Sequence, residues 1–320
     1  YPSRCTRQYR RAFLMGHITS VIIPIFLLIG LGILLKSKAG FNDEFWRSVE
    51  RLTFSGLFPS LLFVKISAAD IDWSTSSPIA SAIIISILLT AAATVPFRRL
   101  LGFNPEQFVA VFQGAFRSNA YVGIAITLSV FGDNATGAMA VTLLSVGVTI
   151  NFLGVWGHLH WLGNEERSRS WRNISIGSLK NPLIQACFIG ALFNAAGWGL
   201  PPIIGPTLEL LSNAALPMGL MAVGSGLKLS SIKAASAPAA VSCGLKLLLL
   251  PLVTFGLGTM LGLEGYALIV PVIFAGLPTS STSYVVSRQM GSDAELMAAI
   301  VTASHLATIF SMPVLLSLIH

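Results

Sequence analysis

Apolar runs of roughly 20 residues recur along the whole chain, each closed by a short polar turn, and that is the length an α-helix needs to cross a hydrocarbon core about 30 Å thick. They fall near residues 17–35, 48–66, 77–97, 106–131 and 136–159, then 180–199, 204–227, 236–261, 265–287 and 295–318. β-barrel alternation is missing, so the runs predict helices, because lipid cannot satisfy open backbone groups. The pattern also repeats. Pro24 recurs as Pro182 and Pro59 as Pro217, 158 residues on; Pro78 recurs as Pro238, Leu101-Gly102 as Leu261-Gly262 and Val141-Thr142 as Val301-Thr302, 160 residues on. Such an offset through five consecutive apolar segments reads as a duplication. Five spans per half force the second half to enter the membrane upside down. The expected fold is therefore all-α and polytopic, ten transmembrane helices as two inverted five-helix repeats, an arrangement typical of secondary transporters.

Composition agrees. The chain is 54% hydrophobic and 10% charged with a mean hydropathy of +0.76, far from the charged quarter of a soluble domain. Three cysteines, Cys5, Cys187 and Cys243, offer neither a disulfide framework nor metal-ligand spacing, and no cofactor or metal is expected. The net charge of +7 does not point to nucleic acid, because Arg4, Arg7, Arg10 and Arg11 precede Met15. Residues 1–14 read as an extension outside the fold, 15–160 as the first repeat, 161–179 as a polar linker and 180–320 as the second repeat. Loops after odd-numbered spans hold twelve basic residues and the opposite loops only Lys65. The positive-inside rule then places the linker in the cytoplasm and both termini outside it.

The fourth and ninth runs carry polar interruptions at matching positions, Gln113 to Tyr121 with Arg117-Ser118-Asn119 at its centre, and Ala275 to Ser283 with Pro278-Thr279-Ser280 at its centre. Pro278 cannot donate a backbone hydrogen bond and turns Leu277 away from helix, while Asn, Ser and Thr just after a break cap a new helix start. Each run thus predicts two half-helices with a gap mid-membrane, where half-helix N-termini favour an anion. Substrate-binding candidates are Arg117, Ser118, Asn119, Pro278, Thr279 and Ser280, with Asn213 four residues before Pro217 on the same helix face. Pro59 and Pro217 are expected to interrupt the second and seventh spans.

Intramembrane charge is sparse. Arg117 stands beside the first break, with substrate attraction and structural pairing both open. Lys246 lies deep in the eighth span and reads as structural pairing. Arg51 and Glu209, each eight residues before a matched proline, can snorkel to a membrane edge. His305 is a packing histidine or a proton relay.

The stretch from Met15 onward resembles the auxin efflux carrier family. The resemblance rests on Ile23-Pro24-Ile25-Phe26 with Gly30-Leu31-Gly32, Phe58-Pro59-Ser60-Leu61-Leu62-Phe63, Arg117-Ser118-Asn119 with Gly123-Ile124, Asn181-Pro182, Leu211-Ser212-Asn213-Ala214 and Leu277-Pro278. It implies broken crossover helices in spans four and nine, a scaffold half, a moving transport half and elevator-like alternating access. It also implies an organic anion substrate, auxin in plants and carboxylates such as malonate in some bacteria. Asn119 matches the family's first-crossover asparagine and Pro278 the second-crossover proline. Ser118 and Ala125 stand where the plant pattern has proline, and the long hydrophilic loop is absent, which weighs against auxin itself. The compact form points to a bacterial inner-membrane protein. A proton or sodium ion is the candidate coupling ion and a homodimer the candidate assembly. An anion channel and an auxin-like weak-acid exporter are the alternatives. An enzyme is disfavoured, since neither His-Glu-x-x-His nor Gly-x-Ser-x-Gly occurs and Asp70 and Asp72 lie in a predicted outer loop.

Overall fold

The computed structural model describes residues 22–69, 71, 73–163, 181–200, 202–234 and 237–319. The N-terminal extension and nearly all of the linker lie outside the described residues. Among these residues the chain is helical, and its one β feature is an isolated bridge.

Helix α1 (22–38) leads through a turn to α2 (Asp43–Leu52), whose N-terminus Asn42 caps by accepting from the Phe45 amide. A π turn, Thr53–Leu57, joins α2 to α3 (Phe58–Ser67). Then follow α4 (Trp73–Leu100), α5 (Pro105–Gly114), α6 (Ala120–Phe131) and α7 (Thr136–Leu162). The second half contains α8 (Pro182–Ala195), α9 (Ile204–Gly226), α10 (Ala237–Gly244) running through a π turn into α11 (Leu250–Met260), α12 (Gly265–Ala275), α13 (Thr282–Met290) and α14 (Ala294–Ile319). Four helical stretches, Ser74–Leu100, Ala120–Leu162, Ala237–Met260 and Ala294–Ile319, are by themselves long and apolar enough to cross a membrane. With Pro182–Ala195 and Gly265–Ala275 as shorter apolar helices, this is a polytopic membrane protein.

The expected breaks are present. The fourth run divides into α5 and α6, and the ninth into α12 and α13. Pro217 behaves differently from expectation, for α9 passes through it without interruption. A proline removes a single i→i−4 bond, and a packed membrane helix absorbs that loss as a bend. Pro59 likewise leaves its span unbroken: α2, the π turn and α3 run on with helical backbone at Thr53, Leu57 and Phe58, and the π turn just before Pro59 is the local irregularity.

Packing divides the helices into two groups. In one, α3 packs on α8 and α9 around Phe58, Leu62, Ile66, Cys187 and Leu220. There α1 and α9 cross with their backbones in contact: a Cβ on Gly32 would meet the Met221 carbonyl, and one on Gly224 the Ile29 carbonyl. In the other, α5 packs against α7, α10 and α14 around Phe108, Phe112, Phe116, Met297 and Ile300. The half-helices α6 and α12 lie between, with Tyr121 stacked on Phe58 at 4.3 Å between ring centroids.

Candidate functional site

The two breaks meet. Ser118 and Thr279 form an antiparallel bridge, closed by the Asn119 amide donating to the Pro278 carbonyl and the Ser280 amide to the Arg117 carbonyl, both at 3.0 Å. The side chains then exchange. Ser118 Oγ donates to the Phe274 carbonyl at 2.7 Å and Thr279 Oγ1 to the Gly114 carbonyl at 2.9 Å. Each hydroxyl thus satisfies a carbonyl that the opposite half-helix leaves without an intrahelical partner. Bridging pairs Ser118 with Thr279, one residue beyond the register in which the repeat lays Ser118 on Pro278.

Asn119 starts α6 as the sequence requires of a cap. Its Oδ1 accepts from the Tyr121 amide at 3.1 Å and the Val122 amide at 3.5 Å. Its Nδ2 faces His305 Nε2 at 3.2 Å. His305 Nδ1 faces the Val301 carbonyl at 2.7 Å, and a carbonyl only accepts, so the proton is on Nδ1 and Nε2 accepts from Asn119. His305 is buried and aligns the cap. Thr279 is anchored at its own amide by Ser304 Oγ, 3.0 Å away.

Arg117 and Lys246 are both buried, and no Asp or Glu among the described residues is. Their surroundings differ. Lys246 Nζ donates to the Ala275 carbonyl at the C-terminal end of α12, where the helix dipole supplies roughly half a negative charge. Among the described residues Arg117 has only neutral partners. Its Nη1 donates to Gln113 Oε1 at 3.2 Å and its Nη2 to Asn151 Oδ1 at 3.1 Å, while Nε has no partner. The ion pairs among the described residues are Lys36–Asp43 and Lys65–Asp133, both 2.7 Å.

Arg117, Ser118, Asn119, Ser280 and Asn151 border a cavity of about 680 Å³ lying between the two packing groups. One wall comes from α1, α2, α8 and α9 with Asp43, Trp46, Glu50 and Phe54; the other from the crossover, α7, α13 and α14 with Arg117, Ser118, Asn119, Tyr121, Asn151 and Ser280. Lys36, Arg47, Lys228 and Arg288 also border it, so cations outnumber carboxylates around its rim. In the turn between α1 and α2, the hydrogen bond from Lys36 holds the Asp43 carboxyl below its usual range. Lys228 Nζ donates to the Tyr284 hydroxyl at 2.8 Å.

Of the sequence candidates, Arg117, Ser118, Asn119 and Ser280 border the cavity and Thr279 is buried behind it. Pro278 contributes its carbonyl to the bridge. Asn213 is exposed on α9 and borders no part of the cavity, and Glu209 is exposed one turn earlier. The sequence reading missed Gln113 and Asn151 as the holders of Arg117, and Glu50 on the facing wall. Gln113, four residues before Arg117, carried an i,i+4 signal; Asn151, on another helix, carried none.

Residues 17–316 match the family model described as "Membrane transport protein". An "Uncharacterized transporter" of Methanothermobacter thermautotrophicus is 25% identical over 300 residues, covering 92% of this chain and 96% of that protein. "Uncharacterized transporter YfdV" of Escherichia coli K12 is 21% identical over 276 residues, covering 84% and 87%. A match over nearly the whole chain, joined to the crossed breaks at Ser118 and Thr279, places this protein in the membrane transport protein family, the family of the auxin efflux carriers.

Proposed function

We propose that this protein is a secondary-active transporter that moves a small organic anion, a mono- or dicarboxylate, across the inner membrane by elevator-type alternating access. The observation that carries this reading is Arg117, a buried cation with no carboxylate partner among the described residues, bordering a cavity beside two crossed half-helix ends. A mid-membrane cation needs an anionic partner, backbone carbonyls or water; Lys246 has a carbonyl, whereas Arg117 borders the cavity, and the cap of α6 sets a helix N-terminus at the same place. Ten spans in two inverted repeats are supported by the element starts: α5, α6 and α7 begin at 105, 120 and 136, and α12, α13 and α14 at 265, 282 and 294. The scaffold is the group α1–α3, α8 and α9, and the transport body is the remainder.

Purified protein in liposomes should take up one or more of radiolabelled lactate, malonate and succinate with saturable kinetics. Flux that rises linearly with concentration would mark a channel. Transport of an organic cation, with carboxylates neither carried nor competing, would overturn the anion reading.

Topology has its own test. A single cysteine at Ser168 should react with an impermeant thiol reagent only from the cytoplasm, and one at Asp133 only from outside. Labelling of both from the same side would end the inverted scheme.

A further inference from the structure

We infer that, since no carboxylate among the described residues pairs with Arg117, the transported anion is its counter-ion, and that the protein is therefore an anion exchanger whose transport body reorients loaded far faster than empty. This rests on the reading of a carboxylate carrier with a moving body and adds how that carrier is coupled.

Arg117 is 4% exposed and held by the amide oxygens of Gln113 and Asn151. Gln113 is itself oriented, because its Nε2 lies 3.2 Å from His158 Nε2 while His158 Nδ1 donates to the Gly154 carbonyl at 2.8 Å. Gly154 adds room: a Cβ there would lie 2.8 Å from Arg117 Nη1. Every one of these contacts fixes the guanidinium without neutralising it. They all lie on α5 and α7, within the transport body, so the uncompensated charge moves with it.

The carboxylates bordering the cavity among the described residues, Asp43 and Glu50, are on α2 in the facing wall. Asp43 is paired with Lys36, and Glu50 lies beyond 4.0 Å of the Arg117 guanidinium. Neither travels with α7. Lys246, the other buried cation, moves with its own compensation, the carbonyl end of α12. With the cavity open, water reaches only the edge of Arg117 that borders it, the 4% of its surface left uncovered. Between end states the cavity closes, and an unpaired guanidinium loses that water with nothing in return. A bound carboxylate, able to make a bidentate pair with the fork, restores the compensation only on loaded crossings.

The test uses the full chain in liposomes filled with radiolabelled malonate, and in parallel lactate and succinate, with the membrane potential clamped at zero. Efflux is measured into unlabelled anion and into sucrose buffer free of transported anions. Exchange should exceed net efflux by about tenfold or more, the scale set by stranding a buried charge. The diagnostic variant is Asn151→Asp, which sets a resident carboxylate against Nη2. It should bring the ratio of exchange to net efflux toward one and raise the half-saturation for the anion. Arg117→Gln, which removes the charge, should lower the ratio as well. Equal exchange and net efflux in the native protein, with saturable transport intact, would overturn the exchanger and leave the carrier standing. A ratio that stays high in Asn151→Asp would also overturn it. Failure of all three anions to move in either mode would overturn the anion reading and the exchanger with it.

Discussion

Asn119→Ala is expected to cut transport by about tenfold or more at unchanged membrane abundance. The residue caps α6, orients against His305 and borders the cavity. Losing an N-cap costs about 1 kcal/mol, small beside the roughly 5–15 kcal/mol that holds a typical domain together, so the protein should still fold. The transport defect has a different origin: the amides of Tyr121 and Val122 lose their acceptor where the substrate is expected, and Nε2 of His305 loses its donor. Thr279→Ala should behave similarly, since it strands the Gly114 carbonyl at a cost of about 1–3 kcal/mol. Asn119→Asp separates capping from binding. Aspartate caps as well as asparagine, but an ionised carboxylate cannot donate to His305 and repels an anion, so transport should stay low although the helix start is preserved. Uptake normalised to surface abundance, alongside a melting temperature, checks all three. Normal transport by both alanine variants would move the site elsewhere.

The second large effect is on affinity. Arg117→Gln should raise the apparent half-saturation for a carried carboxylate by about 10- to 100-fold, the size expected when a charge-assisted hydrogen bond worth about 1.5–3 kcal/mol is lost. Arg117→Lys should recover little of it. The planar fork reaches Gln113 and Asn151 at once while leaving Nε unpaired, a geometry that a single ammonium on a flexible stem does not reproduce. A neutral isostere of the substrate should compete poorly with the native protein, and comparably with the charged substrate once Arg117 is gone. An unchanged half-saturation in Arg117→Gln would assign Arg117 to structure alone.

The breaks were legible because their chemistry is local. Pro278 lacks a donor, Asn119 is a strong cap, and both stand inside otherwise apolar runs, so sequence alone locates them within a residue or two. The bridge register was not, since a one-residue shift leaves the apolar pattern of both halves unchanged and only the pairing of Ser118 with Thr279 reveals it. Asn213 shows the limit of a helix-face argument. Its spacing from Pro217 fixes its side of α9, but the surface that side meets depends on helix packing, and it is exposed. Asn151 was invisible for the same reason, being one polar residue on α7 whose significance comes from a partner 34 positions away. Glycines 32 and 224 carried only a weak signal. Small residues permit close helix contact anywhere in a membrane protein, whereas the crossing of α1 and α9 demands it at these two positions.

The mutual capping at the crossover also sets a schedule for synthesis. The Gly114 carbonyl waits for Thr279, 165 residues later in the chain, and Ser118 waits for the Phe274 carbonyl, 156 residues later. At about 5–20 residues per second of translation, the first break spends on the order of ten seconds or more in the bilayer before its partner exists. Throughout that interval a polar gap and the Arg117 guanidinium must be sheltered by the insertion machinery or by water drawn into the membrane. A chain that ends before Phe274 therefore keeps the first break without either of the groups that cap it.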